Sequence, residues 1–372
     1  MNIEIQRELF LQSFAIAGSV VPSRTTKPVL ENVRIEAAPG RVVMFAINNE
    51  IGMRLEAEGV EVKTAGVALL PVSRVLPLLR ESSDEKLGIE VNQDHILITG
   101  RQTKVKLQAR DPEEFPPVAD FTETSFFTIK SSIFRRMLHR TAFATDNESS
   151  RFALGGVLLE YGDDQLTAVA TDGRRLARMQ GGAEIKGQLQ LEAMTIVPTA
   201  AVSLLEKCLP DDDSPVEVAP RSNDILVRNG RTVVYSRLVE GRFPRWRDAF
   251  PGHRPEALRV QLPVEATMSA IRLATVVADT ESRGLDFEFA QGTLKLNLAC
   301  ANIGESHIEI PVAYEGAEIA ITLDYRFFTD FLRVLDSSST FTMEIESPEK
   351  AALCSTDDGY GYVIMPLSRD RR

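Results

Sequence analysis

Few residues in this sequence could do bond chemistry, and they are scattered. Asp172, in the run Thr171-Asp172-Gly173-Arg174-Arg175, could hold a metal with nearby acids for work on nucleotides or phosphates. The motifs that such an enzyme needs are missing, however: no glycine loop ends in Lys-Ser/Thr, no helix reads His-Glu-x-x-His, and no serine is framed by glycines. His95, His139, His253 and His307 lie in different segments and share no spacing. Cys208, Cys300 and Cys354 have neither ligand spacing nor a paired framework, and are expected as core thiols. No catalytic residue, metal or cofactor is therefore expected. What the run offers instead is grip, because Arg174 and Arg175 beside small and apolar neighbours suit a partner's backbone or carboxylates.

The elements that must position this run follow from its pattern. Residues up to Val169 alternate as a strand, Asp172-Gly173 is a hairpin turn signal, and Arg175-Leu176-Ala177 begins the returning strand. On its own that pattern describes a tight turn and nothing more. The chain around it has 372 residues, 44% of them hydrophobic, enough to bury several cores and to form two or three domains. No apolar run reaches membrane-spanning length and the start Met-Asn-Ile-Glu-Ile lacks signal-peptide regions, so a cytoplasmic protein without membrane contact is expected. The net charge of -11 argues against indiscriminate adhesion to nucleic acid, though it does not say where charge is concentrated.

The chain repeats itself at domain-sized intervals. Three times a strand (Ile3 to Ile5, Phe127 to Lys130, Arg259 to Leu262) precedes an amphipathic helix and then another strand (Val33 to Ala37, Val157 to Tyr161, Leu285 to Phe289). The three helices carry Leu9, Phe10, Ser13, Phe14 and Ala17, then Phe134, Met137, Leu138 and Thr141, then Val264, Met268, Ile271 and Thr275 on one face. Each unit continues with a short strand (Val67 to Leu70, Leu191 to Val197, Ile319 to Leu323), a second helix and three more strands. Pro77 mars the second helix of the first unit and is tolerable only near a helix start. The segments Glu114-Phe115-Pro116 and Arg242-Phe243-Pro244 close the first two units. The expected fold is α+β: three domains, 1–120, 121–252 and 253–372, each with two helices packed on an antiparallel sheet.

Arginine gathers on the helices. The first helix of the middle unit carries Arg135, Arg136, His139 and Arg140 with no acid among them, and other helices carry Arg74, Arg80, Arg326 and Arg333. A solvated helix face accounts for any one of these. Six helices turned the same way would instead make a mildly basic surface in an acidic molecule, touching phosphates without reading bases.

Three segments, Ala170-Thr171-Asp172-Gly173-Arg174-Arg175-Leu176-Ala177, Leu238-Val239-Glu240-Gly241-Arg242-Phe243-Pro244 and Tyr362-Val363-Ile364-Met365-Pro366-Leu367, resemble the β subunit of bacterial DNA polymerase III, the sliding-clamp family. The resemblance covers the whole chain, including its length, its threefold repetition and the segment Arg24 to Leu30. It implies a noncatalytic processivity factor for DNA replication, a head-to-tail homodimer closed as a ring around duplex DNA without sequence specificity. It further implies docking of the replicative polymerase α subunit, clamp loader, repair polymerases, ligase and mismatch-repair proteins through a peptide cleft between the middle and C-terminal domains. Matched residue by residue, that cleft comprises Leu154, Thr171, Gly173, Arg174, Arg175, Leu176, Pro244, Val363, Ile364, Met365, Pro366 and Leu367, with Arg151 and Arg247 at its margin. Such residues combine an adaptable apolar pocket with arginines for a peptide's polar groups. Arg174 stands where relatives often carry histidine, and Asp248 where a second arginine is familiar. Arg24, Arg74, Arg80, Arg135, Arg136 and Arg140 are the expected DNA-facing residues.

Ring closure needs two unlike edges. Lys104, Val105 and Lys106 lie on a strand near one end of the repeat, and Glu305 and Glu309 on the strand Glu305 to Pro311 near the other. Opposite charges across such a junction favour pairing of unlike ends, with Val276 and Val277 expected to pack beneath.

Overall fold

The computed structural model describes residues 1–146, 148, 153–189, 194–252 and 254–367. Its seven α-helices among these are α1 (Arg7–Gly18), α2 (Val72–Glu81), α3 (Ser131–Ala142), α4 (Thr199–Cys208), α5 (Trp246–Ala249), α6 (Val264–Ala274) and α7 (Tyr325–Arg333). Six are the expected repeat helices; α5 is a short addition that no periodicity announced. The chain folds as two compact units, residues 1–135 with 183–238, and residues 136–182 with 239–372.

In the first unit the opening strand Asn2–Gln6 sits between Val60–Thr64 and Lys86–Val91, and the sheet continues through His95–Thr99 to an edge strand, Lys104–Gln108. A second antiparallel series runs Gly66–Pro71, Asn32–Ala38, Arg41–Ile47, Ile51–Glu56, Thr232–Arg237, Asp224–Asn229, Pro215–Pro220 and Phe126–Lys130. The pairing of Ile51–Glu56 with Thr232–Arg237 joins strands from two different repeats. Helix α1 buries Phe10, Phe14 and Ala17 of the stripe that the periodicity marked, and the second helices bury Val75 and Leu79 on α2 and Val202 and Leu205 on α4. Pro77 departs from expectation, since it is the sixth residue of α2 rather than near its start. Its ring and missing N–H weaken that turn, and the fully buried Val75 and Leu79 on either side supply the packing that holds it. The strand expected over Leu191 to Val197 is Thr195–Pro198; residues 190–193 lie outside the described residues.

The second unit contains the hairpin. Strand Gln165–Thr171 pairs with Gly156–Gly162 on one side and with the return strand, Arg175–Lys186, on the other. The return strand also pairs with the last strand, Tyr360–Ile364, and the series continues through Ala352–Ser355 and Thr340–Ile345 to Leu258–Pro263. A four-stranded sheet, ordered Gly304–Pro311, Thr293–Cys300, Gly284–Ala290, Ile319–Asp324, has Gly304–Pro311 at its edge. Phe328, Phe331 and Phe341 pack edge to face, and Phe331 stacks on Tyr362 at 5.1 Å, so the aromatic stripe of α7 clamps the last strand. Cys300 and Cys354 are buried as expected, while Cys208 is only half-buried and its thiol is pushed up to about 12 by desolvation.

Candidate partner-binding hairpin and cationic helices

The tip of the hairpin is built by its own side chains. Gly173 adopts φ +85°, a region that glycine enters without strain. Asp172 Oδ1 accepts from the backbone N–H groups of Arg174 and Arg175 at 2.9 and 3.0 Å, and Thr171 Oγ1 accepts from Gly173 N at 3.1 Å. The carboxylate proposed above as a metal ligand is thus spent on the turn.

Arg175 is held by its neighbours. Its Nε donates to Asp172 at 2.9 Å, Nη1 to Asp330 at 2.7 Å and Nη2 to the Phe143 carbonyl at 2.9 Å. The guanidinium also lies 4.4 Å from the Phe327 ring centroid, and the side chain is 9% exposed. Burial alone would lower its pKa, but Tyr362, Asp330 and Asp172 raise it, so the charge is permanent. Arg175 fastens the hairpin to α7, with three of its five N–H groups donated to Asp172, Asp330 and Phe143. Arg174, by contrast, is exposed, and its carbonyl accepts from Met365 N at 2.9 Å.

Strand alternation divides the remaining candidates. Thr171, Leu176 and Val363 are register partners in one cross-strand row and share a face, whereas Arg175 and Ile364 pair on the opposite face. Ile364 is fully buried, on the face away from the Thr171, Leu176 and Val363 row. Leu154, Thr171, Leu176 and Val363 are buried floor residues, and Pro244 and Pro366 are half-buried. Met365 and Leu367 stand out, 49% and 37% exposed, just beyond the last strand, with Leu367 N bonded to the Thr322 carbonyl at 2.9 Å. Arg151 lies outside the described residues. Arg247, on α5, is exposed and pairs with Glu160 at 2.9 Å while lying 4.4 Å from the Trp246 ring centroid.

Sequence reasoning missed a hollow of about 550 Å³ farther along this unit, lined among others by Glu160, Thr167, Arg178, Gln180, Trp246 and Phe250. The one available signal was Trp246, the only tryptophan in the chain.

The expected DNA-facing arginines differ in availability. Arg24, Arg74 and Arg80 are exposed and make no ion pair among the described residues. Arg24 and Lys27 line a hollow of about 500 Å³ with Thr25, Thr26, Asn48 and Asn49. On α3 the acid-free face meets acids from elsewhere in the chain. Arg135 donates to the Glu206 carbonyl and lies 3.8 Å from Asp211; Arg136 lies 3.5 Å and Arg140 2.7 Å from Asp358. Arg140 is 12% exposed and sits 5.3 Å from the Tyr360 ring centroid. Its charge is directed at Asp358, so it is less open to a phosphate than Arg24, Arg74 or Arg80.

Of the residues expected at a subunit junction, Lys104, Val105 and Lys106 fall on the edge strand Lys104–Gln108, with both lysines exposed. Glu305 and Glu309 are exposed on the edge strand Gly304–Pro311, although Glu309 already contacts His307 at 2.9 Å and Lys295 at 3.8 Å. Val276 and Val277 belong to a single 3-10 turn after α6 rather than to the helix itself, and Val276 is 75% exposed.

A chain that repeats strand, helix and strand three times, with arginines on its helices, has the α+β three-domain fold of a sliding clamp. Three models of one family match in order: the N-terminal, central and C-terminal domains of the DNA polymerase III beta subunit, over residues 1–119, 128–245 and 249–368. The chain belongs to the DNA polymerase III beta subunit family, and is a noncatalytic processivity subunit. It is 26% identical to the beta sliding clamp of Pseudomonas putida over 99% of this chain and 100% of that one, and 28% identical to that of Chlamydia trachomatis over 94% and 82%. Its fold is shared with a sliding clamp from Pseudomonas aeruginosa solved with griselimycin (TM-score 0.87, 24% identity, 99% of both chains). The Bacillus subtilis sliding clamp is similar at TM-score 0.85 and 20% identity, again over 99% of both. Family membership implies DNA and a polymerase as partners. No helix among the described residues is long and apolar enough to cross a membrane.

Proposed function

We propose that two copies of this chain close head to tail into a cytoplasmic ring around duplex DNA, and that partner proteins dock by a short peptide on the hairpin face of the second unit. Domains at 1–120, 121–252 and 253–372 fit this reading. So do the unlike charges on the edge strands Lys104–Gln108 and Gly304–Pro311 and the exposed Val276. Enclosure needs only weak, salt-dependent phosphate contacts, which the unpaired Arg24, Arg74 and Arg80 can supply. The replicative polymerase α subunit, clamp loader, repair polymerases, ligase and mismatch-repair proteins are the proposed users of the face, in competition because one peptide fills it.

The observation that carries the docking reading is the exposed pair Met365 and Leu367 beside the buried row Thr171, Leu176 and Val363. Apolar side chains left in water next to a preformed apolar floor favour an aliphatic or aromatic anchor. The test is fluorescence anisotropy with a labelled pentapeptide, Gln-Leu-Ser-Leu-Phe. Wild-type protein should bind it, and Met365→Ser with Leu367→Ser should lose it while keeping the fold. Equal affinity for both proteins would place the site elsewhere.

A further inference from the structure

We propose that the hollow at Arg178 is an extension subsite of the peptide face, receiving the carboxylate of an acidic side chain that flanks the docked anchor; this rests on the docking reading above. The sheet register places it. Thr171, Leu176 and Val363 form the anchor row; Val169, Arg178 and Gly361 form the next row on the same face; Glu160, Thr167 and Gln180 form the third. Alternate residues along a strand are spaced by about 7 Å, so a peptide seated on the anchor row reaches Arg178 with two extended residues.

The chemistry of the hollow calls for an anion. Arg178 makes no ion pair among the described residues, and its Nε is buried without a hydrogen-bond partner. Desolvation lowers its pKa and nothing nearby offsets this, in contrast to Arg175, whose charge is raised by its acids. The other charges of the lining are already met or lie at the rim. Glu160 accepts from Trp246 Nε1 at 3.0 Å and pairs with Arg247, and Asp163 is exposed at a turn. The guanidinium carbon lies over the Phe250 ring, 4.1 Å from its centroid, which fixes the charge in place, and a carboxylate is the partner its N–H groups suit. Phe250 in turn lies against Gly361, where an added Cβ would come within 2.6 Å of the ring. The Phe250 wall is therefore preformed.

The test compares five labelled peptides on full-length protein: the Gln-Leu-Ser-Leu-Phe core, two versions with an aspartate two residues beyond one end or the other, and the same two extensions with alanine. One aspartate extension should bind wild type about tenfold more tightly than its alanine counterpart, the scale of a hydrogen bond to a charged group. Arg178→Gln should erase that advantage while leaving core affinity unchanged, and Arg178→Lys should retain part of it. No difference between aspartate and alanine extensions on wild type, or an advantage that survives Arg178→Gln, overturns the subsite while the docking face stands. Failure of the core peptide to bind wild type overturns both.

Discussion

Arginine is used in opposite ways on two parts of this molecule. On α2, Arg74 and Arg80 reach solvent with no acid against them among the described residues, so their charge is available to a phosphate. Around the hairpin and on α3, Arg175 and Arg140 are nearly buried and locked to Asp172, Asp330 and Asp358. The first pair projects a field; the second pair holds strands and helices in place. A count of basic residues therefore overstates the binding surface, because a buried ion pair contributes rigidity at the expense of free charge.

The largest expected effect concerns assembly. Val276→Asp with Val277→Asp puts charge on an exposed apolar turn beside the Gly304–Pro311 edge, and sedimentation should show folded monomers in place of dimers. An unchanged dimer mass would remove that edge from the junction.

Arg175→Ala comes next and separates scaffold from contact. It leaves Asp172 without its buried partner and strips one of Asp330's two, so urea unfolding should show a loss of about 3 kcal/mol. Arg174→Ala, one residue away and exposed, should change stability by less than about 0.5 kcal/mol and act on peptide affinity alone. If the two variants behave alike, the division between them is wrong.

The α2 and α3 arginines can be told apart by salt. Replacing Arg74 or Arg80 with alanine should lower the slope of log affinity for duplex DNA against log salt by about 0.9 per lost phosphate contact. Arg140→Ala should leave the slope unaltered and lower the melting temperature instead, since its charge is directed at Asp358.

The smallest effect is a pH dependence. Burial raises the Asp358 pKa, but the Thr356 hydroxyl and the charges of Arg140 and Arg136 outweigh it and leave the carboxyl below its ordinary value. A group depressed in the folded state stabilises above its unfolded pKa, about 3.9, and that contribution fades as pH falls through the lower folded value. Asp358→Asn should flatten this part of the acid unfolding profile and leave the neutral plateau lower than wild type.

Local pattern determined much of this. The 3.6-residue stripes of Phe10 and Phe14 or Phe134 and Leu138, the alternation before Asp172, and the threefold recurrence of strand, helix and strand are written in neighbouring residues, because each element must present one apolar face. The hairpin and six of the helices were legible for that reason. Only the tertiary structure decided what the arginines do. The partner of Arg140 is 218 residues away, Arg175 reaches across 155 residues to Asp330, and Ile364 falls on the opposite face from Val363 by a strand parity that register sets. Whether a charge is free depends on burial and on which distant acid the fold brings to it, and no window of sequence contains both.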